Sequence, residues 1–293
     1  MDILLHAGAH PTDNDTLMVS MKNNKPALDR CHVAVPDPVL YRRSLRQAMR
    51  QIEGAQFTDE LRDMLYDSIC GDQPPDTQAM VLSVPMLFAP PAQTVAQGVF
   101  FPQAVEKLRS AVEVFKNDNI KLFFSIRNPA TYLAALMKTC DSDNLSAVIA
   151  NSAPESLRWS ELVLRLQAHF LDMDITLWCY EDSPFVWQDV IRAVGQVPPN
   201  IAIKDTYRLY LHLLSDVGQA RFVAYMNKNT NLSIEKKREV MFAFAEKFGR
   251  PEIMDQDVSL TGLTQEDVDF LTDLYEDDLA KIAEIPNVRL IFP

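Results

Sequence analysis

Cysteine is scarce in this sequence, and its few cysteines lie far apart. The chain of 293 residues has four of them, Cys31, Cys70, Cys140 and Cys179. No two form a C-x-x-C pair, and no histidine lies at metal-ligand spacing from any of them. A zinc centre and a redox motif of the usual spacing are therefore not indicated. We expect reduced thiols in the core and no metal site.

The sequence also lacks a long apolar run. No segment reaches the roughly 18 consecutive apolar residues that a transmembrane helix needs. The first residues enter a short apolar segment at once, without the basic region and cleavage site of a signal peptide. We therefore expect a cytoplasmic protein without a membrane span.

Basic residues are also few in comparison with acidic ones. The chain has 28 Lys and Arg residues against 40 Asp and Glu residues, a formal net charge of −12. An acidic chain is a poor electrostatic partner for nucleic acid or for an anionic membrane. We expect no nucleic-acid partner, and an anionic substrate would need a local basic site.

Apolar residues are plentiful, and their arrangement indicates the fold class. Short apolar runs alternate with amphipathic segments of ten or more residues, a pattern typical of βαβ units. We predict an α/β protein with three layers, in which helices flank a mainly parallel five-stranded sheet. We predict one domain, with a sheet core at 1–197 and a mostly helical extension at 198–293. The predicted strands are 3–5, 31–35, 79–84, 120–126 and 175–180, and 287–292 is a possible addition. Long helices are predicted at 155–173, 206–228, 233–248 and 264–285.

The first 17 residues, MDILLHAGAHPTDNDTL, combine three local signals. An apolar run is followed by small residues and then by residues that favour a helix start. This pattern predicts a buried strand, a tight loop and the N-terminus of a helix. In open α/β sheets such a loop is a common ligand site, because backbone N–H groups and the helix dipole favour an anion. We expect residues 86–101 to form a loop over this site.

Three segments, in their order along the chain, resemble the bacterial sulfotransferase family. HAGAHPT at 6–12 follows the first predicted strand, SIRNP at 125–129 ends the fourth, and WCYED at 178–182 ends the fifth. Residues 264–291 are similar to the C-terminal part of such proteins. The family has a P-loop-NTPase-like fold and transfers a sulfuryl group from 3′-phosphoadenosine 5′-phosphosulfate (PAPS). The resemblance implies PAPS as the cofactor and a small molecule or glycan as the acceptor, through a hydroxyl or an amine.

The resemblance also implies roles for individual residues. His10 would be the catalytic group, and Arg127 would bind the 3′-phosphate. Glycine lets the backbone approach phosphate closely, and hydroxyls can hold its oxygens. The implied cofactor-binding residues are Gly8, Thr12, Thr16, Ser83 and Arg127.

The first loop departs from the family pattern. Pro11 stands where the family has a lysine, which removes both a cation and a backbone N–H. Asp13 replaces a glycine, Asn14 and Asp15 replace hydroxyl residues, and Ala135 replaces the serine that the family has eight residues after Arg127. A carboxylate about 4 Å from a phosphate charge costs about 4 kcal/mol at an effective dielectric of about 20. The alternative function is therefore a catalytically inactive sulfotransferase-fold protein that acts as a binding module.

Several residues have a second interpretation that the sequence leaves open. Arg127 can pair with an acid such as Glu181 instead of a phosphate, and Glu181 can cap the helix that follows it. Ser83 can cap a turn, and His6 and His10 can be structural. Asp13 and Asp15 can be helix N-caps. A solvated helix face or an anion-binding patch can be formed by Arg42, Arg43, Arg46 and Arg50.

A nucleotide kinase or NTPase on the same fold is a weaker hypothesis, because the loop lysine is missing.

Overall fold

The computed structural model describes residues 1–12, 15–54, 57–71, 73–254 and 258–293. Within these ranges the chain is an α/β protein with a six-stranded sheet in the order β2-β3-β1-β6-β7-β8, and every pairing in this sheet is parallel. A separate antiparallel hairpin consists of β4 and β5. The strands are β1 (Asp2–His6), β2 (Val33–Ala34), β3 (Ala79–Ser83), β4 (Val95–Ala96), β5 (Val99–Phe100), β6 (Asn119–Ile126), β7 (Ile175–Cys179) and β8 (Val288–Ile291).

Helices flank the sheet and make up most of the C-terminal part. They are α1 (Thr16–Asn23), α2 (Lys25–Asp29), α3 (Pro38–Glu53), α4 (Asp59–Cys70), α5 (Ala104–Val114), α6 (Pro129–Thr139), α7 (Leu145–Val148), α8 (Trp159–His169), α9 (Ser183–Val194), α10 (Arg208–Leu213), α11 (Asp216–Lys228), α12 (Ile234–Phe248), α13 (Pro251–Met254) and α14 (Gln265–Ala283).

The sheet is covered on both faces, which explains its continuous apolar strands. Successive side chains of a strand point to opposite faces. In β1, Ile3 and Leu5 belong to one buried cluster with residues of α3, α5 and α8. Leu4 belongs to a second cluster, in which residues of α1 and α9 cover the other face. The α/β class, the parallel sheet and the flanking helices are therefore confirmed.

The predicted number of strands was wrong, because the sheet has six rather than five. The additional strand is β8, which pairs in parallel with β7 so that Ile291 lies opposite Trp178.

The strand predicted at 31–35 is shorter in the structure, where β2 has only two residues. His32, just before it, has φ +57°, and its carbonyl accepts hydrogen bonds from the N–H groups of Gln78 and Ala79.

Two predicted long helices are shorter or interrupted. The helix predicted at 155–173 is α8, which begins only at Trp159. The helix predicted at 206–228 is split into α10 and α11 at Leu214 and Ser215. Leu214 forms a β-bridge with Gly249, the N–H of Ser215 binds the carbonyl of Phe248, and the Ser215 hydroxyl caps α11.

The helices α10 to α12 have a buried apolar cluster of their own. Its fully buried members include Tyr210, Leu214 and Phe222. Phe185 of α9 packs against this cluster, and its ring stacks on that of Phe242 at 4.6 Å between centroids. The helical part therefore meets the sheet layer through α9.

No helix in the described part of the chain combines the length and apolar character needed to cross a membrane.

Candidate functional site

The topology defines one position in the sheet where a ligand site is expected. From β1 the chain continues to β2 on one side, whereas from β6 it continues to β7 on the other side, and β1 and β6 are adjacent. In open α/β sheets, ligands bind in the crevice beyond the carboxyl ends of such strands. The segments that leave these ends are residues 7–12 and 127–128. The first loop and the segment around Arg127, which we predicted to share a site, therefore leave neighbouring strand ends.

A cleft of about 450 Å³ lies at this end of the sheet, a size that suits a small molecule. Its polar lining comes from the start of α1 and from the ends of β6 and β7. The helical part supplies an apolar wall from α10 and α13. The lining residues are Thr12, Thr16, Ser125, Trp178, Tyr180, Glu181, Ser183, Pro184, Phe185, Trp187, Leu209, His212, Leu213, Ile253 and Met254.

Ser125 is the most informative residue of the cleft. It is only 2% exposed, and its hydroxyl has no hydrogen-bond partner among the described residues. It lies on β6 in register with Trp178 of β7. A buried hydroxyl without a partner costs free energy. Ser125 therefore contributes a buried hydroxyl without a described partner to the wall of the cleft.

The first loop continues the sheet instead of opening into a phosphate cradle. The N–H groups of Ala7 and Ala9 donate to the carbonyls of Phe123 and Ser125, at 2.8 and 3.1 Å, and the Ser125 N–H donates to the carbonyl of Gly8 at 2.6 Å. Two backbone donors of the loop are thus already used by β6.

Gly8 is required by the packing of this loop. It has φ +108°, and an added Cβ would lie 2.5 Å from the carbonyl oxygen of Pro85 and 2.8 Å from the nitrogen of His10. Only glycine fits such a close backbone approach at positive φ. This contact gives Gly8 a structural role beside the cofactor role that the resemblance implies.

Thr12 and Thr16 both line the cleft. The Thr12 hydroxyl donates to the carbonyl of Ala9 at 2.5 Å, so its lone pairs stay available to a ligand donor. Thr16 is the first residue of α1. The N-cap prediction for Asp13, and the departures at Asp13 and Asn14, concern residues outside the described ranges.

Asp15 and Ser83 belong to a polar network beside the cleft. Asp15 occupies the N-cap position of α1, but its side chain makes no cap hydrogen bond, so that prediction was wrong. Its carboxylate instead accepts two hydrogen bonds from the Arg42 guanidinium, at 2.5 and 3.0 Å, which lower the Asp15 pKa. Ser83 is fully buried, and its hydroxyl contacts His6 Nδ1 at 2.9 Å and Arg42 at 3.3 Å. Ser83 does not line the cleft described above.

Arg127 is buried against the residues that end β7. Its guanidinium carbon lies 4.3 Å from the centre of the Tyr180 ring, and its Nε donates to Thr131 at 3.1 Å. Burial lowers the Arg127 pKa, whereas the nearby charges of Tyr180 and Glu181 act in the opposite direction. The Glu181 carboxylate therefore favours the charged guanidinium from nearby, which leaves both interpretations of Arg127 open.

Glu181 lines the cleft and caps a helix other than the expected one. Its Oε1 accepts a hydrogen bond from the N–H of Asn128, at the start of α6, at 2.9 Å. Burial raises the pKa of this carboxyl group. Tyr275 contacts the other oxygen, Oε2, at a long 3.5 Å. Oε2 thus keeps capacity to accept a hydrogen bond from a ligand.

His10 belongs to the first loop but is not among the residues that line the cleft. Its carbonyl accepts a hydrogen bond from Tyr132 at 2.7 Å. Its Nε2 is buried without a partner among the described residues, and burial lowers the His10 pKa. At neutral pH an imidazole in this setting is uncharged.

The segment at 86–101 does not line the cleft. It contains the β4–β5 hairpin, and its aromatic side chains Phe88, Phe100 and Phe101 are buried in the core. The Phe100 ring stacks on Trp159 at 4.1 Å between centroids. The helices α10 and α13 supply the wall that we had expected from this loop.

Ser125 was missed as a site residue in the sequence, although its segment carries part of the family resemblance. One signal could have identified it, since Ser125 is a polar residue inside the otherwise apolar second half of β6. The contributions of α10 and α13 have no such signal.

The ligand types that the site can hold follow from its side chains. In the described ranges, no group of three or more His, Cys, Asp or Glu residues is arranged to hold a metal ion. The cleft itself offers hydroxyls, a carboxylate, the His212 imidazole, aromatic rings and aliphatic side chains.

Comparison of the chain with models of protein families, with curated proteins and with solved structures gave no significant match.

Proposed function

We propose that this chain is a sulfotransferase-like protein that does not transfer sulfuryl groups and instead binds a small uncharged polar ligand in its cleft. The observation that carries the proposal is Ser125, which lines the cleft and whose buried hydroxyl has no partner among the described residues. The Thr12 and Thr16 hydroxyls line the same cleft. These groups suit a ligand with hydroxyl or amide groups.

The charges around the cleft support an uncharged ligand. PAPS is a polyanion, yet among the described lining residues there is no Lys or Arg. The Glu181 carboxylate repels an anion, and Arg42, a cation near the start of α1, is engaged by Asp15. Pro11 has no N–H to offer, and the N–H groups of Ala7 and Ala9 bind β6. The elements of a phosphate cradle are therefore mostly missing or in use.

PAPS-dependent sulfuryl transfer to a hydroxyl or amine is the second candidate function. It is favoured by the position of the cleft at the switch point of the sheet, with Thr12 and Thr16 near the N-terminus of α1. In this case Arg127 would bind the 3′-phosphate, His10 would act in catalysis, and Gly8 and Ser83 would complete the donor site.

Calorimetry with the nucleotide product, 3′-phosphoadenosine 5′-phosphate, separates the two candidates. We expect no binding tighter than about 1 mM, which corresponds to about −4 kcal/mol. Micromolar binding that is lost in Arg127→Met would contradict the proposed function and support sulfuryl transfer.

A restored loop provides the positive control. The double variant Pro11→Lys and Asp13→Gly returns the cation and the glycine of the family pattern. We expect this variant to bind the nucleotide product more tightly than the natural chain. If the double variant binds the nucleotide product no more tightly than the natural chain, the cleft is not a nucleotide site.

A further inference from the structure

We propose that the ligand of the cleft is an uncharged amphiphile, with a hydroxyl head at Ser125 and Glu181 and an aliphatic body against α10 and α13. This inference rests on the proposed binding function and adds the chemical class of the ligand. It assigns the two ends of the ligand to two different walls of the cleft.

The polar end of the cleft suits a group that both donates and accepts. The Ser125 hydroxyl can donate, because it has no partner among the described residues. Glu181 Oε2 can accept, because its only described contact is the long one from Tyr275. A ligand hydroxyl can both accept from Ser125 and donate to Glu181, whereas an ether or a ketone can only accept.

Charge selects an uncharged head. A carboxylate or sulfate head would meet the Glu181 carboxylate across a partly buried cleft. A protonated amine would be attracted by Glu181, but Arg127, whose guanidinium lies on the Tyr180 ring outside the lining of the cleft, already offsets that negative charge. Because the two protein charges offset each other, a charged head of either sign gains little at the polar end and loses its hydration there.

The apolar end comes from the helical part of the chain. Leu209 and Leu213 of α10 and Ile253 and Met254 of α13 line the cleft together with Phe185 of α9. Met254 is 41% exposed. These side chains offer apolar surface that an aliphatic body would remove from water, whereas a purely polar ligand would leave it exposed.

A series of ligands with one body and different heads tests this assignment. The probes are 1-octanol, octylamine, octanoate and methyl octyl ether, with myo-inositol as a polar compound without an apolar body. Binding is followed by tryptophan fluorescence, because Trp178 and Trp187 line the cleft. We expect saturable binding of 1-octanol and binding of each other probe that is weaker by about tenfold or more.

Matched variants show whether the cleft is responsible. Met254→Gln should weaken the binding of 1-octanol severalfold, whereas Met64→Gln, on α4 and 69% exposed, should leave it unchanged. Ser125→Ala should weaken 1-octanol by about two- to tenfold, the loss of one hydrogen bond, and should weaken methyl octyl ether to a similar extent, because the ether oxygen can also accept from Ser125. Circular dichroism spectra check that each variant is folded.

The outcomes separate this inference from the proposed function. If myo-inositol binds and 1-octanol does not, the amphiphile is ruled out and an uncharged polar ligand remains. If octanoate or octylamine binds as tightly as 1-octanol, or if Met64→Gln acts like Met254→Gln, the assignment of head or body is overturned. Absence of any 1-octanol binding also overturns it. Micromolar binding of the nucleotide product contradicts the proposed function itself.

Discussion

Gly8 is the residue where the first loop tolerates least change. The substitution Gly8→Ala would place a Cβ against the carbonyl oxygen of Pro85, at a positive φ that L-residues rarely adopt. Since the close contacts are with backbone atoms, we expect a loss of more than about 2 kcal/mol in the free energy of unfolding. Urea unfolding followed by circular dichroism measures this loss.

Gly54→Ala is the matched control for this prediction. Gly54 follows α3 with φ −86°, and an added Cβ would lie 3.5 Å or more from its neighbours. We expect a change within about 0.5 kcal/mol. Equal losses in the two variants would show that the close approach at Gly8 does not constrain the loop.

The Asp15–Arg42 ion pair gives the stability of the protein a dependence on pH. Because hydrogen bonds from Arg42 lower the Asp15 pKa, folding favours the ionised carboxylate. The stabilisation is present above the pKa of the unfolded chain, about 3.9, and is lost as pH falls through the lower pKa of the folded state. We expect Asp15→Asn to destabilise the protein at pH 6 and to have a progressively smaller effect below about pH 4.

A double-mutant cycle isolates this pair. In an Arg42→Met background the substitution Asp15→Asn should lose most of its effect and its dependence on pH. Urea unfolding of the four proteins at several pH values gives the coupling free energy. A coupling free energy that does not change between about pH 6 and about pH 3 would contradict the assignment of the effect to this ion pair.

At the scale of elements, α8 is held by a residue far along the chain. Its own N-cap residue, Arg158, makes no side-chain cap. The buried carboxylate of Asp278, on α14, accepts hydrogen bonds from the N–H groups of Trp159 and Ser160, at 2.6 and 3.0 Å, and from the Ser160 hydroxyl. One side chain thus caps α8 and fixes it to α14.

Removal of this carboxylate should be costly. Asp278→Ala leaves two backbone donors and a hydroxyl unsatisfied in a buried position, and we expect a loss of about 3 kcal/mol in the free energy of unfolding. The neighbouring Asp277→Ala is the control, because Asp277 is exposed, and its effect should stay within about 0.5 kcal/mol. Urea unfolding compares the two, and similar values would refute the capping role.

Elements with local signals could be predicted from the sequence, and elements defined by distant contacts could not. The start of α14 at Thr264 has a capping box with Asp267, and α9, Ser183–Val194, has Pro184 in its first turn and Gly195 just after its end. The break between α10 and α11 depends on Phe248 and Gly249, which are more than thirty residues away in sequence. The helical periodicity of the sequence therefore continues through Leu214 and Ser215, although tertiary contacts at these residues separate α10 from α11.

The same distinction applies to the site. The order of strands in the sheet places the first loop beside the end of β6, as the family resemblance implied. The pairing of Asp15 with Arg42 and the apolar wall from α10 and α13 depend on packing between elements. No periodicity or motif encodes these contacts, so the polarity of the cleft could not be predicted.

At the scale of the whole molecule, the buried apolar residues form three clusters instead of one. Two clusters cover the two faces of the sheet, and the third lies within α10 to α12. The predicted single domain can still open in part, because local stability varies across a structure. The small third cluster gives its helices less buried apolar surface, so we expect them to open locally at a lower free energy than the central strands.

Hydrogen exchange in two variants measures this difference. Phe222 is fully buried in the third cluster, and Phe124, also fully buried, lies on β6 in the cluster of the sheet. Phe222→Ala should accelerate amide exchange in α10 to α12 and leave β1 and β6 protected, whereas Phe124→Ala should accelerate exchange throughout the chain. Exchange of every element to the same extent in Phe222→Ala would show that the helical part and the sheet form one cooperative unit. Local acceleration would instead mean that the wall of α10 and α13 can open the cleft without unfolding the sheet.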